Sequence, residues 1–305
     1  HFYRVKIFNA VVITSRIRIL YSVTPFATPT MRLLNSSTVV AIGGGLRLHI
    51  AFLFAGLAIR IPEYCAFALI IYATYTLDRA LDCKEDAINK SELKGANGKI
   101  GIIACVAAFL AGTILLALDG IYLAPFFPFI VGYFYTHGIR IGSYTLKLKG
   151  SAGIKNIIIG ITWGGTIALI VSQWCNCFET ILVIFLFYGL KLFVTSCVND
   201  FKDVKGDLAA GIRTLPACMG ENLTKKILII IILGLHGIMA YAVIFQVIRN
   251  EWIILFYSLV ITTLFLLVYS SSFEKKSVFI YRRMREIVIY WESAISLGVR
   301  ICVAG

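Results

Sequence analysis

Charge is what this sequence has least of. Asp, Glu, Lys and Arg make up 15% of its 305 residues, where a soluble domain carries about a quarter. Only 16 residues are acidic, and histidine is down to 4. With 59% hydrophobic residues and a mean hydropathy of +0.86, this excludes an ordinary soluble domain and indicates a polytopic membrane protein. Metal-binding patterns are scarce too. Eight cysteines (65, 83, 105, 175, 177, 197, 218, 302) lie mostly in or beside apolar runs and read as small buried residues. The single CxC, Cys175 and Cys177, has neither a histidine nor a second pair beside it, so no metal site is expected there. A cleavable signal is also missing, and because the chain begins at His1 rather than Met, further residues are expected before it.

The charge that is present is unevenly placed. Mainly apolar runs near the 20 residues of a membrane helix occupy 36–58, 62–82, 98–117, 120–137, 153–172, 178–198, 224–248, 252–271 and 285–303. The fourth, with APFFPFIVGYFY, is expected to bend. Eighteen Lys and Arg fall in the gaps 83–99, 138–155, 199–226 and 272–285, against two in the alternate gaps. The net charge of +13 therefore reads as a topology signal rather than a nucleic-acid site. It puts the N-terminus and the four basic loops in the cytoplasm and the C-terminus outside. Residues 1–35, with Arg4, Lys6, Arg16, Arg18 and Arg32, form a basic amphipathic segment expected to lie on the cytoplasmic face. Residues 36–305 form the nine-helix transmembrane domain. The expected fold class is all-α, one bundle with cytoplasmic cap loops.

Most of the acidic content is concentrated in two cytoplasmic places. TLDRALDCKEDAINK (76–90) ends the second run, and VNDFKDVKGDLAAGIRTLP (198–216) ends the sixth. Asp78, Asp82 and Asp86 are spaced by four, as are Asn199, Asp203 and Asp207. On a helix each step of four turns only about 40°, so each trio makes one stripe. The trios are 121 residues apart, which suggests two pseudo-repeated halves presenting equivalent stripes on one face of the membrane. Carboxylates at i, i+4 repel. A hard divalent cation bound through oxygen cancels that repulsion, and Mg²⁺ commonly combines one or two carboxylates with substrate phosphates. Two such stripes make a diphosphate clamp. Solvated interfacial charges, with Lys84, Lys202 and Lys205 as partners, are the plainer reading of a single stripe. A cation-coupled transporter is the alternative for the pair, although transporter carboxylates are expected near the bilayer midplane.

At these residues the chain resembles the UbiA-type family of intramembrane prenyltransferases, whose members carry two NxxxDxxxD-like motifs on helix ends in a nine-helix bundle. Asn199, Asp203 and Asp207 match the second motif in register, followed by a family-like GDxxxGIRTLPxxxG run through Gly206, Gly211, Thr214, Leu215, Pro216 and Gly220. The first motif departs by placing Asp78 where Asn is usual, before Asp82 and the D-A-I-N ending at Asp86. A register starting at Thr74 fits the flanking residues less well. LKGSAGIKNIIIG (148–160) resembles a family segment and aligns Lys149 and Asn156. After the first motif, a Pro- and Arg-containing run frequent in members with quinone or ether-lipid substrates is replaced by NKSELKGANGK. The acceptor class is therefore open.

The resemblance implies transfer of an isoprenyl chain from a prenyl diphosphate to an acceptor, either an aromatic quinone-type precursor or a lipid headgroup, with release of diphosphate. It implies Mg²⁺ held by Asp78, Asp82, Asp86, Asn199, Asp203 and Asp207, with Asp82 and Asp203 the central catalytic carboxylates. Lys149, Tyr144 and Arg32 are candidate diphosphate contacts. Lys191, two turns before Asn199, is expected to point at the diphosphate cavity, and Arg47 and His49 to lie near the acceptor. His236 and Glu292 are further polar residues within spans, a class that usually faces the bundle interior. Tyr133, Phe134 and Tyr135 are candidates to shield a carbocation.

Overall fold

A computed structural model describes residues 28–81, 95–137, 139–141, 144–146, 153–209, 211–271 and 284–304. Each apolar run carries one helix. These are α1 (Pro29–Ala55), α2 (Ile61–Ala80), α3 (Gly98–Leu118), α4 (Phe127–His137), α5 (Ile154–Val171), α6 (Phe178–Ala209), α7 (Leu215–Ile244), α8 (Trp252–Val268) and α9 (Glu292–Ala304), the last entered through a π-helical turn, Ile287–Trp291. Five of them, α1, α3, α5, α6 and α7, are long and apolar enough to cross a membrane, and α8 is a shorter apolar helix. Large side chains such as Ile103, Leu110, Ile230, Leu233 and Phe256 are exposed on their outer faces, where only lipid would cover them. The protein is an integral, multi-pass membrane protein.

Several boundaries differ from the sequence reading for local reasons. Helix α4 begins only at Phe127, after a turn in which the Phe126 and Phe127 N–H groups donate to Leu123 O. Its 11 residues span about 16 Å, half a hydrocarbon core. Pro125 and Pro128 in this stretch cannot donate to a helix ladder, and Pro128 is tolerated because it falls in the first turn. The fold is all-α as expected, with one small antiparallel hairpin added between α4 and α5, Ile139–Ile141 (β1) with Tyr144–Leu146 (β2). Helix α6 continues 11 residues beyond its apolar run, so the second acidic stripe is a continuation of a membrane helix. Helix α7 starts early, at Leu215, and is interrupted at Gly220, whose φ of 78° is left-handed.

Helix α2 packs against α1 and α3, α5 against α6, α6 against α7, and α9 returns against α8 and α1. Close crossings depend on missing side chains. A Cβ on Gly44 of α1 would meet Ile71 Cδ1 at 2.0 Å, and one on Gly164 of α5 would meet the Gly189 backbone of α6 at 2.7 Å. The main core joins Leu48, Phe52, Phe67, Ile167, Ile184 and Met239. A second cluster, with Val194, Cys197, Phe201, Ile232, Phe265 and Tyr269, seats the last turns of α6 on α7 and α8.

The two ends of the bundle are built differently. At the end away from the acidic stripe, Arg60 bridges Glu63 (3.0 Å) and Asp119 (3.8 Å) and lies over the Trp174 ring at 4.1 Å. Arg300 grips Glu251 with two hydrogen bonds of 2.5 and 2.7 Å. The Arg249 N–H donates to Phe54 O at 2.7 Å. Both arginines there are held by carboxylates.

Candidate active site

The stripe end is assembled from α5, α6 and the loop joining α6 to α7. Gly211, at φ 74°, lets the chain turn off α6, and the Ile212 N–H closes the helix end on Asp207 O at 2.8 Å. Arg213 O then accepts from the Gly153 N–H at 2.9 Å, and Leu215 packs on Gly153 so closely that a Cβ there would sit 3.0 Å away. The GIRTLP run therefore clips the end of α6 to the start of α5. Helix α5 in turn offers Lys155 and Asn156 to the carboxylates. Asp200, 2% exposed, accepts from Lys155 Nζ (3.0 Å) on one oxygen and from Asn156 Nδ2 (2.6 Å) on the other. The same amide donates to Ser196 Oγ at 3.0 Å. The two bonds to Asp200 are charge-assisted and of the strong class.

The three stripe residues have distinct surroundings. Asn199 Oδ1 accepts from Arg285 Nη1 at 3.2 Å. Asp203 is partly exposed, with Lys202 Nζ 3.5 Å away. Asp207 is 1% exposed, with Lys155 Nζ 3.7 Å from one oxygen, while its Oδ2 makes no hydrogen bond of ordinary length and the Thr214 hydroxyl lies beside the carboxylate. A buried carboxylate oxygen without a donor is costly. Asp200, Asp203 and Asp207 are gathered here with the Lys155 and Lys202 ammonium groups and the Arg285 guanidinium. Hard oxygen donors on one helix face, one of them the unbonded Asp207 Oδ2, fit a divalent cation such as Mg²⁺. Among the described residues no three His, Cys, Asp or Glu side chains converge as a metal centre, because the first motif contributes only Asp78 to them.

Asp78 is exposed on the last turn of α2. Its neighbour Arg79 turns away, donating to Ser37 Oγ on α1 at 2.9 Å. Asp82, Asp86 and Lys149 lie outside the described residues, and Tyr144 is described only as backbone in β2. Arg32 is exposed on the first turn of α1. Phe134 is 45% exposed on α4, while the side chains of Tyr133 and Tyr135 lie outside the described residues.

Lys191 is not turned toward the stripe. Its ammonium meets Glu292 at 2.6 Å, Ser258 Oγ at 2.6 Å and Thr262 Oγ1 at 2.8 Å, because a charge at mid-span needs an anion and α9 supplies one. Arg47 donates Nη2 to Ile289 O at 2.6 Å. His49 packs edge-on against Tyr64, and His236 Nδ1 lies 2.8 Å from Ile232 O within its own helix. Beneath the stripe, Val40, Phe67, Ile71, Tyr75, Trp163 and Leu192 line a small space of about 20 Å³. Tyr75 and Trp163 stack there at 5.8 Å.

Sequence reasoning missed Lys155 and Arg285 as partners of the motif. Lys155 adjoins the aligned Asn156, a usable signal; nothing separates Arg285 from the other arginines of its loop.

Comparison with known proteins follows this geometry. The solved structures of a UbiA homolog from Archaeoglobus fulgidus, in complexes with GPP and Mg²⁺ and with DMAPP and Mg²⁺, share the fold at TM-scores of 0.56 and 0.54 and 14% identity, covering 89% of this chain and 99% of theirs. A digeranylgeranylglyceryl phosphate synthase of Natronomonas pharaonis is 27% identical over 200 residues, 63% of this chain and 69% of that protein. The chloroplastic chlorophyll synthase of Oryza sativa subsp. japonica is 31% identical over 169 residues, 50% of this chain and 43% of that protein. The model of the UbiA prenyltransferase family matches residues 32–278, and the chain belongs to that family.

Proposed function

We propose that this protein transfers an isoprenyl chain from a prenyl diphosphate to a membrane-accessible acceptor, with release of diphosphate, in a Mg²⁺-dependent reaction. The observation that carries this reading is the α6 stripe, with Asn199, Asp203 and Asp207 on one helix face and Asp207 Oδ2 unbonded in a buried position. Asn199, Asp203 and Asp207 would hold the metal on one side, and Asp78, Asp82 and Asp86 on the other. When bound, Mg²⁺ supplies charge neutralisation for the departing diphosphate. Lys155 and Asn156 fix Asp200 and, through it, the rotation of the stripe. The aromatic space of Phe67, Tyr75 and Trp163 lies two turns below Asn199, since Leu192 precedes it by seven residues. It excludes water and presents π-faces to an allylic cation. The homolog bound to GPP and Mg²⁺ supports this donor and this metal. Arg32, Tyr144 and Lys149 are proposed diphosphate contacts from the cytoplasmic side. Nine spans in two pseudo-repeated halves, with a basic segment over 1–35, complete the proposed architecture.

The test is incubation of the purified protein in lipid with radiolabelled prenyl diphosphates, Mg²⁺ and aromatic and glycerolipid acceptors. Asp203→Ala and Asp82→Ala are each expected to lower product formation by about 100- to 1,000-fold, and chelation of Mg²⁺ to abolish it. Product at wild-type rates from either variant would sink the clamp.

A further inference from the structure

A residue outside both motifs reaches the acidic stripe from a second side. Arg285 lies in the helical turn 284–286 that leads into the π-helical turn Ile287–Trp291. It stands beyond residues 32–278, which match the family model. Arg285 is only 6% exposed, a degree of burial that arginine rarely undergoes. Its Nη1 donates to Asn199 Oδ1 at 3.2 Å. That acceptor is a neutral carboxamide, so this bond aims the guanidinium without cancelling its charge.

The backbone that presents Arg285 is fixed from α1 and α6. Val288 and Ile289 of the π-turn are buried in the cluster that contains Val194, Cys197 and Val198 of α6. Arg47 Nη2 donates to Ile289 O at 2.6 Å, and a Cβ on Gly43 of α1 would meet Tyr290 O at 3.0 Å. Just beyond the turn, Glu292 ties α9 to Lys191 of α6 at 2.6 Å. π-Turns are frequent at functional sites. A guanidinium on so rigid a support loses little freedom on meeting a ligand.

The place it reaches is specific. Asn199 is the stripe residue nearest the apolar length of α6, one turn before Asp203 and two before Asp207. A phosphate that carries a prenyl chain has to lie at this end, with the chain directed to the aromatic side chains below. Lys155 is drawn to Asp200 and Asp207, and Lys202 to Asp203. Of these three cations, Arg285 is the one bonded at the Asn199 end. Its planar fork matches phosphate oxygens and stays protonated across the working pH range.

Resting on the prenyl-transfer reading, we propose that Arg285 is a further diphosphate-binding residue, whose guanidinium fork holds the phosphate next to the prenyl carbon. In the transfer the prenyl C–O bond breaks with its electron pair staying on the diphosphate. The allylic carbon bonds to the acceptor, and the acceptor's proton passes to water. Arg285 stabilises the negative charge left on the adjoining phosphate.

The test uses the full chain in lipid nanodiscs with Mg²⁺ and geranyl thiodiphosphate, whose C–S bond resists cleavage. Its Kd is read from the rise in unfolding temperature on titration. Arg285→Gln is expected to weaken the thiodiphosphate about 10- to 100-fold, and Arg285→Lys, which keeps the charge and loses the fork, about tenfold. The response to Mg²⁺ alone separates this from a role exerted through Asn199. Asn199→Ala is expected to weaken that response, and Arg285→Gln to leave it unchanged. Unchanged thiodiphosphate binding in Arg285→Gln overturns the proposal, as does a loss of the Mg²⁺ response equal to that in Asn199→Ala. If Arg285→Gln does not fold, unchanged binding in Arg285→Lys overturns it. A wild-type protein that Mg²⁺ and the thiodiphosphate together do not stabilise overturns the transfer reading itself, and this proposal with it.

Discussion

Helix α6 carries two polar regions about 12 Å apart along its axis, and they obey opposite rules. At Lys191 every donor of the ammonium meets an acceptor, and Glu292 cancels its charge. At Asn199–Asp207 three carboxylates are clustered around Lys155, Lys202 and Arg285, and one buried oxygen makes no hydrogen bond. The first arrangement holds helices together inside an apolar medium. The second keeps like charges close together and one buried oxygen unbonded, which is what the proposed metal site would require. The same helix thus separates what holds the bundle together from what it binds.

This contrast can be broken from either side. The largest effect is expected at the matched region: Lys191→Met leaves Glu292 buried and unpaired and should cost about 3–5 kcal/mol, read as a drop in unfolding midpoint in detergent. The double variant Lys191→Met/Glu292→Gln should recover most of that loss, and failure to recover would show that the pair is not matched. Next, Lys155→Met removes the shared cation of Asp200 and Asp207. A stability loss of about 1.5–3 kcal/mol is expected without metal, with added Mg²⁺ raising the unfolding temperature more in this variant than in the wild type. An equal Mg²⁺ response in both would argue against a cation at the stripe. The smallest effect, about 1 kcal/mol, is expected for Arg285→Gln. It would sharpen the comparison by testing whether Asn199 is held from outside the helix.

Much of this molecule could be read before any coordinates. The apolar runs gave helices because nothing but a helix satisfies its backbone within hydrocarbon, and the period-four spacing of Asn199, Asp203 and Asp207 held because α6 continues unbroken through it. What escaped reading depended on partners distant in sequence. Lys191 looked directed at a diphosphate, yet its nearest anion is 101 residues further on, at Glu292. Lys155 finds Asp200 across 45 residues. The shortening of α4 was half legible: two prolines indicated a bend, while the turn at 123–126 and the β1–β2 hairpin arise from local backbone pairing with no apolar periodicity to betray them.

The matched pairs at the far end have a consequence for the membrane rather than for the reaction. A bundle with charged side chains in its interior is a potential hole in an insulating film, through which protons or ions could leak along any wet path. Arg60 with Glu63, Asp119 and Trp174, and Arg300 with Glu251, stopper that path at one end. Tied to partners in this way, those charges have less call on water than free ones would, and that end of the bundle offers ions a poorer entrance.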